Sequence, residues 1–176
     1  MKTTYYVASS LDGFIAEPDG SVAFLDEIGG EPDVAAYEAF FAGVDALLMG
    51  RRTYDQVLGF GEWPYGDRPC WVMTHRELSE GPETVVAIAG SPQQVHAQIA
   101  AQQYQHLWLI GGADLAAQFL HHGLIDQVVV SLIPMALGQG ISLFANLSGH
   151  VKLALTESIP RAHGILELTY VPVQET

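Results

Sequence analysis

Leu48-Met49-Gly50-Arg51-Arg52-Thr53-Tyr54 is the stretch whose reading decides the fold. Ala46 to Met49 is a short apolar block of the kind that forms a strand covered on both faces, and it runs through a glycine straight into the start of a helix. Glycine lets the backbone approach a ligand, a helix start offers unused N–H groups, and two arginines add fixed positive charge. Together these features suit a pyrophosphate or a 2′-phosphate, the alternative being an ordinary helix start with two exposed arginines.

The same succession recurs downstream. Leu107 to Ile110 is an apolar strand that ends in Gly111-Gly112 and passes into a helix at Ala113. Val72-Met73-Thr74-His75-Arg76 is a third strand end, carrying hydroxyl, imidazole and guanidinium groups. A ligand-free turn explains the second run equally well, and the third is weak alone.

Working outward, Tyr5 to Ser9 reads as a buried strand, followed by a turn-rich stretch from Leu11 to Pro32. Its length and its interior apolar residues (Phe14, Ile15, Val22, Phe24, Leu25, Ile28) mark it as a functional loop. Asp33 is placed to cap a helix running toward Gly43, and Thr53 to Leu58 predicts a short helix. Cys70 to Thr74 and Val85 to Ala89 read as strands. Ser91-Pro92 opens a helix reaching Gln103, and Ala113 to His122 forms another, closed by Gly123. Gln127 to Ile133, Lys152 to Ile159 and Ile165 to Val173 are longer strands, the last two joined by the turn Pro160 to Gly164. The expectation is a single α/β domain over residues 1–176, with a mostly parallel central sheet of about eight strands, four flanking helices and a C-terminal antiparallel hairpin. Such sheets bind ligands at the carboxyl ends of their strands, which directs attention to the loops after Met49, Thr74 and Ile110.

Composition removes several classes of function. Seven Lys and Arg against twenty Asp and Glu give a net charge of −13, which repels a phosphate backbone and argues against nucleic acid. Four of the seven cations, Arg51, Arg52, Arg68 and Arg76, nevertheless lie close together in sequence, so one local anion site is expected. No apolar run approaches the roughly 20 residues of a membrane helix. Met1 to Ser10 lacks the pattern of a secretory signal, so the cytoplasm is the expected compartment. Cys70 is the sole cysteine, too few for a thiolate zinc site, and His121-His122 reads as helix-end charge rather than a metal pair. The G-x-G-x-x-G, G-x-x-x-x-G-K-[ST] and G-x-S-x-G signatures are absent, and Gly138-Gln139-Gly140 reads as a flexible turn.

The order and spacing of four motifs resemble the dihydrofolate reductase superfamily, most closely the reductase domain of bifunctional riboflavin-biosynthesis deaminase/reductases. They are Ser9-Ser10-Leu11-Asp12-Gly13-Phe14-Ile15-Ala16, Met49 to Tyr54, Gly111-Gly112, and Leu137-Gly138-Gln139-Gly140 with Leu143-Phe144. The resemblance implies NADPH held by Gly50, Arg51, Arg52, Thr53, Thr74, His75, Arg76, Gly111, Gly112 and Ala113. It implies that the Asp12-Gly13 loop closes over nicotinamide, with Tyr37 and Phe41 as substrate-pocket walls. It also implies a homodimer, for which Val128, Val130, Leu153, Leu155, Leu166 and Leu168 could supply a face, or equally an internal core. A proton donor would be a carboxyl raised by burial, and Asp12 and Asp33 are the candidates; bracing a turn and capping a helix are their plainer roles. Outside the arginine group only Lys2, Lys152 and Arg161 remain to meet a phosphorylated substrate. The expected activity is hydride transfer to a small heterocycle, as in 5-amino-6-(5-phosphoribosylamino)uracil reduction. Dihydrofolate reduction and non-catalytic NADPH binding are the alternatives, and no zinc deaminase half is expected.

Overall fold

The computed structural model describes residues 1–28 and 34–173. Its elements are β1 (Lys2–Ser10), β2 (Phe14–Ala16), α1 (Val34–Ala42), β3 (Ala46–Gly50), α2 (Arg51–Gly59), β4 (Cys70–Met73), β5 (Val85–Ile88), α3 (Pro92–Ala100), β6 (His106–Gly111), α4 (Ala113–His121), β7 (Gln127–Ile133), β8 (Ile141–Ser142), β9 (Leu153–Pro160) and β10 (Leu166–Pro172). Eight strands form one sheet in the order β5-β4-β3-β6-β1-β7-β10-β9. Pairing is parallel from β5 through β7 and antiparallel for β10 against β7 and β9, so the expected parallel sheet with its terminal hairpin is present.

The apolar blocks form strands because both faces of the sheet are covered. Ala46, Leu47, Leu48 and Met49 of β3 are all fully buried, and alternate residues serve two different cores. Tyr5, Leu48, Leu107, Leu109, Val128 and Val130 pack with Val95 and Ile99 of α3 and Phe119 and Leu120 of α4. Leu47, Met49, Val72 and Trp108 point the other way, toward Tyr54 and Val57 of α2 and the aromatic side chains of α1. Local chemistry sets the helix ends. Ser91 and Gln94 form a reciprocal capping box on α3, with Pro92 in its first turn. α4 closes with Gly123 at φ +66°, its N–H reaching Leu120 O and the Leu124 N–H reaching Phe119 O.

Two features were not foreseen. The stretch after β1 contains β2 and a 3-10 turn at Ala23–Ile28, and β2 pairs with β8 in a separate two-stranded ribbon. Gly140 lies inside that ribbon's contact. A Cβ there would come within 2.2 Å of Ala16 O, so Gly138-Gln139-Gly140 is a packed turn rather than a free one. Val128 and Val130 lie in the internal core, so they do not form the subunit face suggested for them.

Candidate functional site

β3 and β6 are neighbours in the sheet, with Met49 opposite Gly111, so the two glycine-bearing strand ends lie side by side. α2 begins directly after Gly50 and α4 directly after Gly112, and neither helix has a side-chain cap. Their leading N–H groups are therefore left to solvent or a ligand. A Cβ added to Gly50 would sit 3.7 Å from Gly112 N and 3.9 Å from Gly111 O. Gly111 has φ +147°, a region that favours glycine, and the Gly111–Gly112 peptide is cis. Thr53 turns its hydroxyl to this corner, 3.4 Å from where a Cβ on Gly112 would be. Gly50, Thr53, Gly111, Gly112 and Ala113 are thus brought into one cradle of backbone and hydroxyl groups.

The basic residues are arranged less simply. Arg51 donates through Nε to Asp55 at 2.7 Å and through a terminal nitrogen to Glu77 O at 3.1 Å, which ties α2 to the loop after β4. Arg52, His75 and Arg76 are exposed on the same rim. The Thr74 hydroxyl accepts the Arg76 N–H at 3.1 Å and shapes that turn. Arg68 does not join them. Its guanidinium donates to Phe41 O and Val44 O, both at 2.9 Å, and lies 3.7 Å from the centre of the Phe41 ring. It closes the end of α1, so Arg68 leaves the expected group of four arginines. Asp114 in the first turn of α4 accepts from Gln118 and Asn146, which fixes the chain near Asn146.

Asp12 is held as a carboxylate. It accepts from the Ser10 hydroxyl at 2.6 Å, Gly138 N–H at 2.7 Å and Leu137 N–H at 3.0 Å. These donors, Ser10 first, pull its pKa down to about 2, and the group is fully exposed. A raised carboxyl acting as acid is therefore not what stands at Asp12; the residue clips the loop after β1 to the segment before β8. Asp33 lies outside the described residues.

On the α1 face of the sheet, Tyr37 and Phe41 stack at 5.7 Å and both meet Trp108 edge-on. They pack, partly buried, against the second core, and a cavity opens beside Ala36 of the same helix. That cavity, of about 110 Å³, is lined by Tyr6, Ala36, Ser131, Arg161, Ile165 and Glu167. Tyr6 donates to Glu167 at 2.8 Å, and Arg161 pairs with the other carboxylate oxygen at 2.5 Å. Burial pushes the Tyr6 phenol up to about 12, opposed by a hydrogen bond with the Ser131 side chain and aided by the hydrogen bond and charge of Glu167. Sequence reading missed Tyr6, Ser131 and Glu167. Tyr6 looked like one more residue of an apolar strand, and its partner is 161 positions away. Among the described residues no three metal-binding side chains cluster.

The sheet order and the strand-end cradle define a dihydrofolate-reductase-like α/β protein. Dihydrofolate reductase from Enterococcus faecalis, solved with NADP(H), superposes with a TM-score of 0.68 over 98% of this chain and 97% of its own, at 15% identity. The profile of the RibD C-terminal domain matches residues 2–166, and the chain belongs to that family. It is 38% identical over 155 residues to the uncharacterized protein YwjB of Bacillus subtilis, covering 88% of each chain. A protein of Shewanella sp. PV-4 assigned to riboflavin biosynthesis superposes with a TM-score of 0.90 at 30% identity, over 99% of this chain and 100% of its own.

Proposed function

We propose that this chain is an NADPH-dependent reductase that transfers a hydride to a small heterocyclic acceptor, as in the riboflavin-biosynthesis reductases. One observation carries the reading: two uncapped helix starts, after Gly50 and Gly112, open side by side where a Cβ on Gly50 would lie 3.7 Å from Gly112 N. Paired helix N-termini with close-set bare backbone suit a pyrophosphate, and Arg51, Arg52, His75 and Arg76 stand on the rim where a 2′-phosphate needs cations. The residues present therefore fit the nucleotide. Bound there, NADPH would supply the hydride.

The protein's share is binding, orientation and exclusion of water. Gly50, Thr53, Gly111, Gly112 and Ala113 hold the phosphates, and Thr74, His75 and Arg76 read the adenosine end. The β1–β2 loop, pinned by Asp12, shields the opposite end. With Asp12 ionised at neutral pH, it contributes no proton, which leaves that role to Asp33, to water or to the acceptor's own tautomers. Dihydrofolate reduction is the alternative; Glu38, the one carboxylate on described α1, is exposed, and Asp33 lies outside the described residues. We also place the enzyme in the cytoplasm as a homodimer, on the resemblance to its family.

Titration with NADPH and NADH, followed by nicotinamide fluorescence, tests the reading. The expected result is micromolar NADPH binding, weakened about tenfold or more by Arg51→Ala or Arg76→Ala, the scale of one lost charge-assisted hydrogen bond. Absence of binding to both nucleotides overturns it. Binding without turnover on a panel of pyrimidines, pterins and quinones selects the non-catalytic alternative.

A further inference from the structure

Tyr54 is tied to its surroundings more closely than packing requires. It lies on α2 at 1% exposure, edge-on to Trp63 at 5.8 Å, a setting in which phenylalanine would pack as well. Its hydroxyl crosses to the loop between β4 and β5 and donates to Glu80 O at 2.5 Å. The loop is shaped to meet it. Gly81 has φ +120°, which favours glycine, and a Cβ there would fall 1.9 Å from Tyr54 Oη. Both the backbone conformation and the space beside the phenol therefore call for glycine at this position.

The same loop carries Thr74, His75 and Arg76 on its first turn, and its own side chains do little to hold them still. Glu77, Ser79, Glu80 and Gly81 are exposed, while Leu78 packs against the second core. The sheet fixes the ends of the loop, through Thr74 N–H to Ile88 O and Cys70 N–H to Thr84 O. Its middle is fixed by α2, through Arg51 to Glu77 O at 3.1 Å and Tyr54 to Glu80 O. These two residues stand three apart on the helix, so one face of α2 makes both ties. Arg51 is partly exposed and shared with Asp55, whereas the Tyr54 side chain is shielded from water, where a hydrogen bond is stronger. α2 also starts at the phosphate cradle, directly after Gly50. A single helix thus sets both the cradle and the loop that carries the neighbouring cation.

We propose that Tyr54 is a positioning residue for coenzyme choice: by holding Glu80 and Gly81 against α2, it keeps Thr74, His75 and Arg76 where a 2′-phosphate meets them, so that NADPH is preferred over NADH. The proposal deepens the reductase reading and rests on it. A loop already ordered loses less freedom on binding, and that advantage goes only to the coenzyme whose 2′-phosphate engages it.

The test titrates the full chain with NADPH and with NADH, in the wild type, Tyr54→Phe, Gly81→Ala and the double variant, with Tm measured for each. The wild type is expected to prefer NADPH. Tyr54→Phe should bind NADPH about tenfold more weakly, the scale of one lost hydrogen bond and a loosened loop, with NADH affinity unchanged. Gly81→Ala, which sets a methyl group against the phenol oxygen, should narrow the preference by a similar factor. The double variant should lose no more than either single one, since both break the same contact. Equal weakening of the two nucleotides marks a purely structural role and overturns the proposal, as do losses that multiply in the double variant. If Gly81→Ala lowers Tm markedly, Tyr54→Phe decides the matter alone. A wild type that binds neither nucleotide overturns the reductase reading and this proposal together. A wild type that prefers NADPH, beside a Tyr54→Phe with the same preference, sinks the proposal and spares the reading.

Discussion

Arg68 shows what a single residue's neighbours in sequence conceal. It lies among cations that meet at the strand ends, yet its guanidinium is spent on Phe41 O, Val44 O and the Phe41 ring. Sequence distance measures proximity along the chain, and the segment between α2 and β4 carries Arg68 away from the cradle. Arg68→Ala should therefore cost about 1–3 kcal/mol in denaturant unfolding, since two carbonyls at the end of α1 lose a charged donor. NADPH binding should be unchanged. A weakened nucleotide with intact stability would restore Arg68 to the anion site. Asp12 and Glu167 carry the same lesson: a carboxylate is plain in the sequence, but distant donors (Leu137 and Gly138 for Asp12, Tyr6 for Glu167) come from strands and loops that only the fold brings near.

Elements were read well where burial on both faces makes a strand continuously apolar, as in β3 and β6, and where caps are local, as at Ser91 and Gly123. β2 and β8, three and two residues long, are too short to show a period, and their pairing is fixed by Gly140 against Ala16. At the amino ends of the strands, elements are joined through histidines. His96 of α3 bonds the Thr3 hydroxyl at 3.1 Å, and His106 of β6 bonds the Thr4 hydroxyl at 2.8 Å and Gly43 O at 3.0 Å. Burial lowers both pKa values, opposed at His96 by Asp126, and at His106 by the Gly43 hydrogen bond and Asp45. Folded histidines that resist protonation leave the unfolded chain holding more protons, so stability rises with pH and is complete above the ordinary value near 6.5. Tm should be level above pH 7 and fall as pH drops below 6.5. The fall should shrink in a His96→Gln, His106→Gln double variant, and an equal fall in both proteins would remove the histidines as its cause.

At the scale of the molecule, the parallel sheet and its terminal hairpin were legible because alternating blocks leave few topologies, whereas the surfaces were not. Whether a leucine faces a core or a partner depends on what else covers the sheet. Val128 and Val130 proved internal, while Leu155 on the edge strand β9 is 53% exposed. An exposed edge strand invites pairing with a second copy. Sedimentation velocity should find the proposed dimer in the wild type and a monomer in Leu155→Glu; a monomeric wild type rejects it.

The position of β1 in the sheet has a consequence for synthesis. It lies between β6 and β7, with Lys2 opposite His106 and Thr4 opposite Gln127. A ribosome adding about 5–20 residues per second leaves this strand without either neighbour for many seconds. During that interval Tyr5, Tyr6 and Val7 are an apolar segment with no native partner. The strand that will become the middle of the sheet is thus exposed to aggregation until β6 and β7 emerge, and a chaperone that shields Lys2–Ser10 over that interval would raise the folding yield more than one acting on the finished chain.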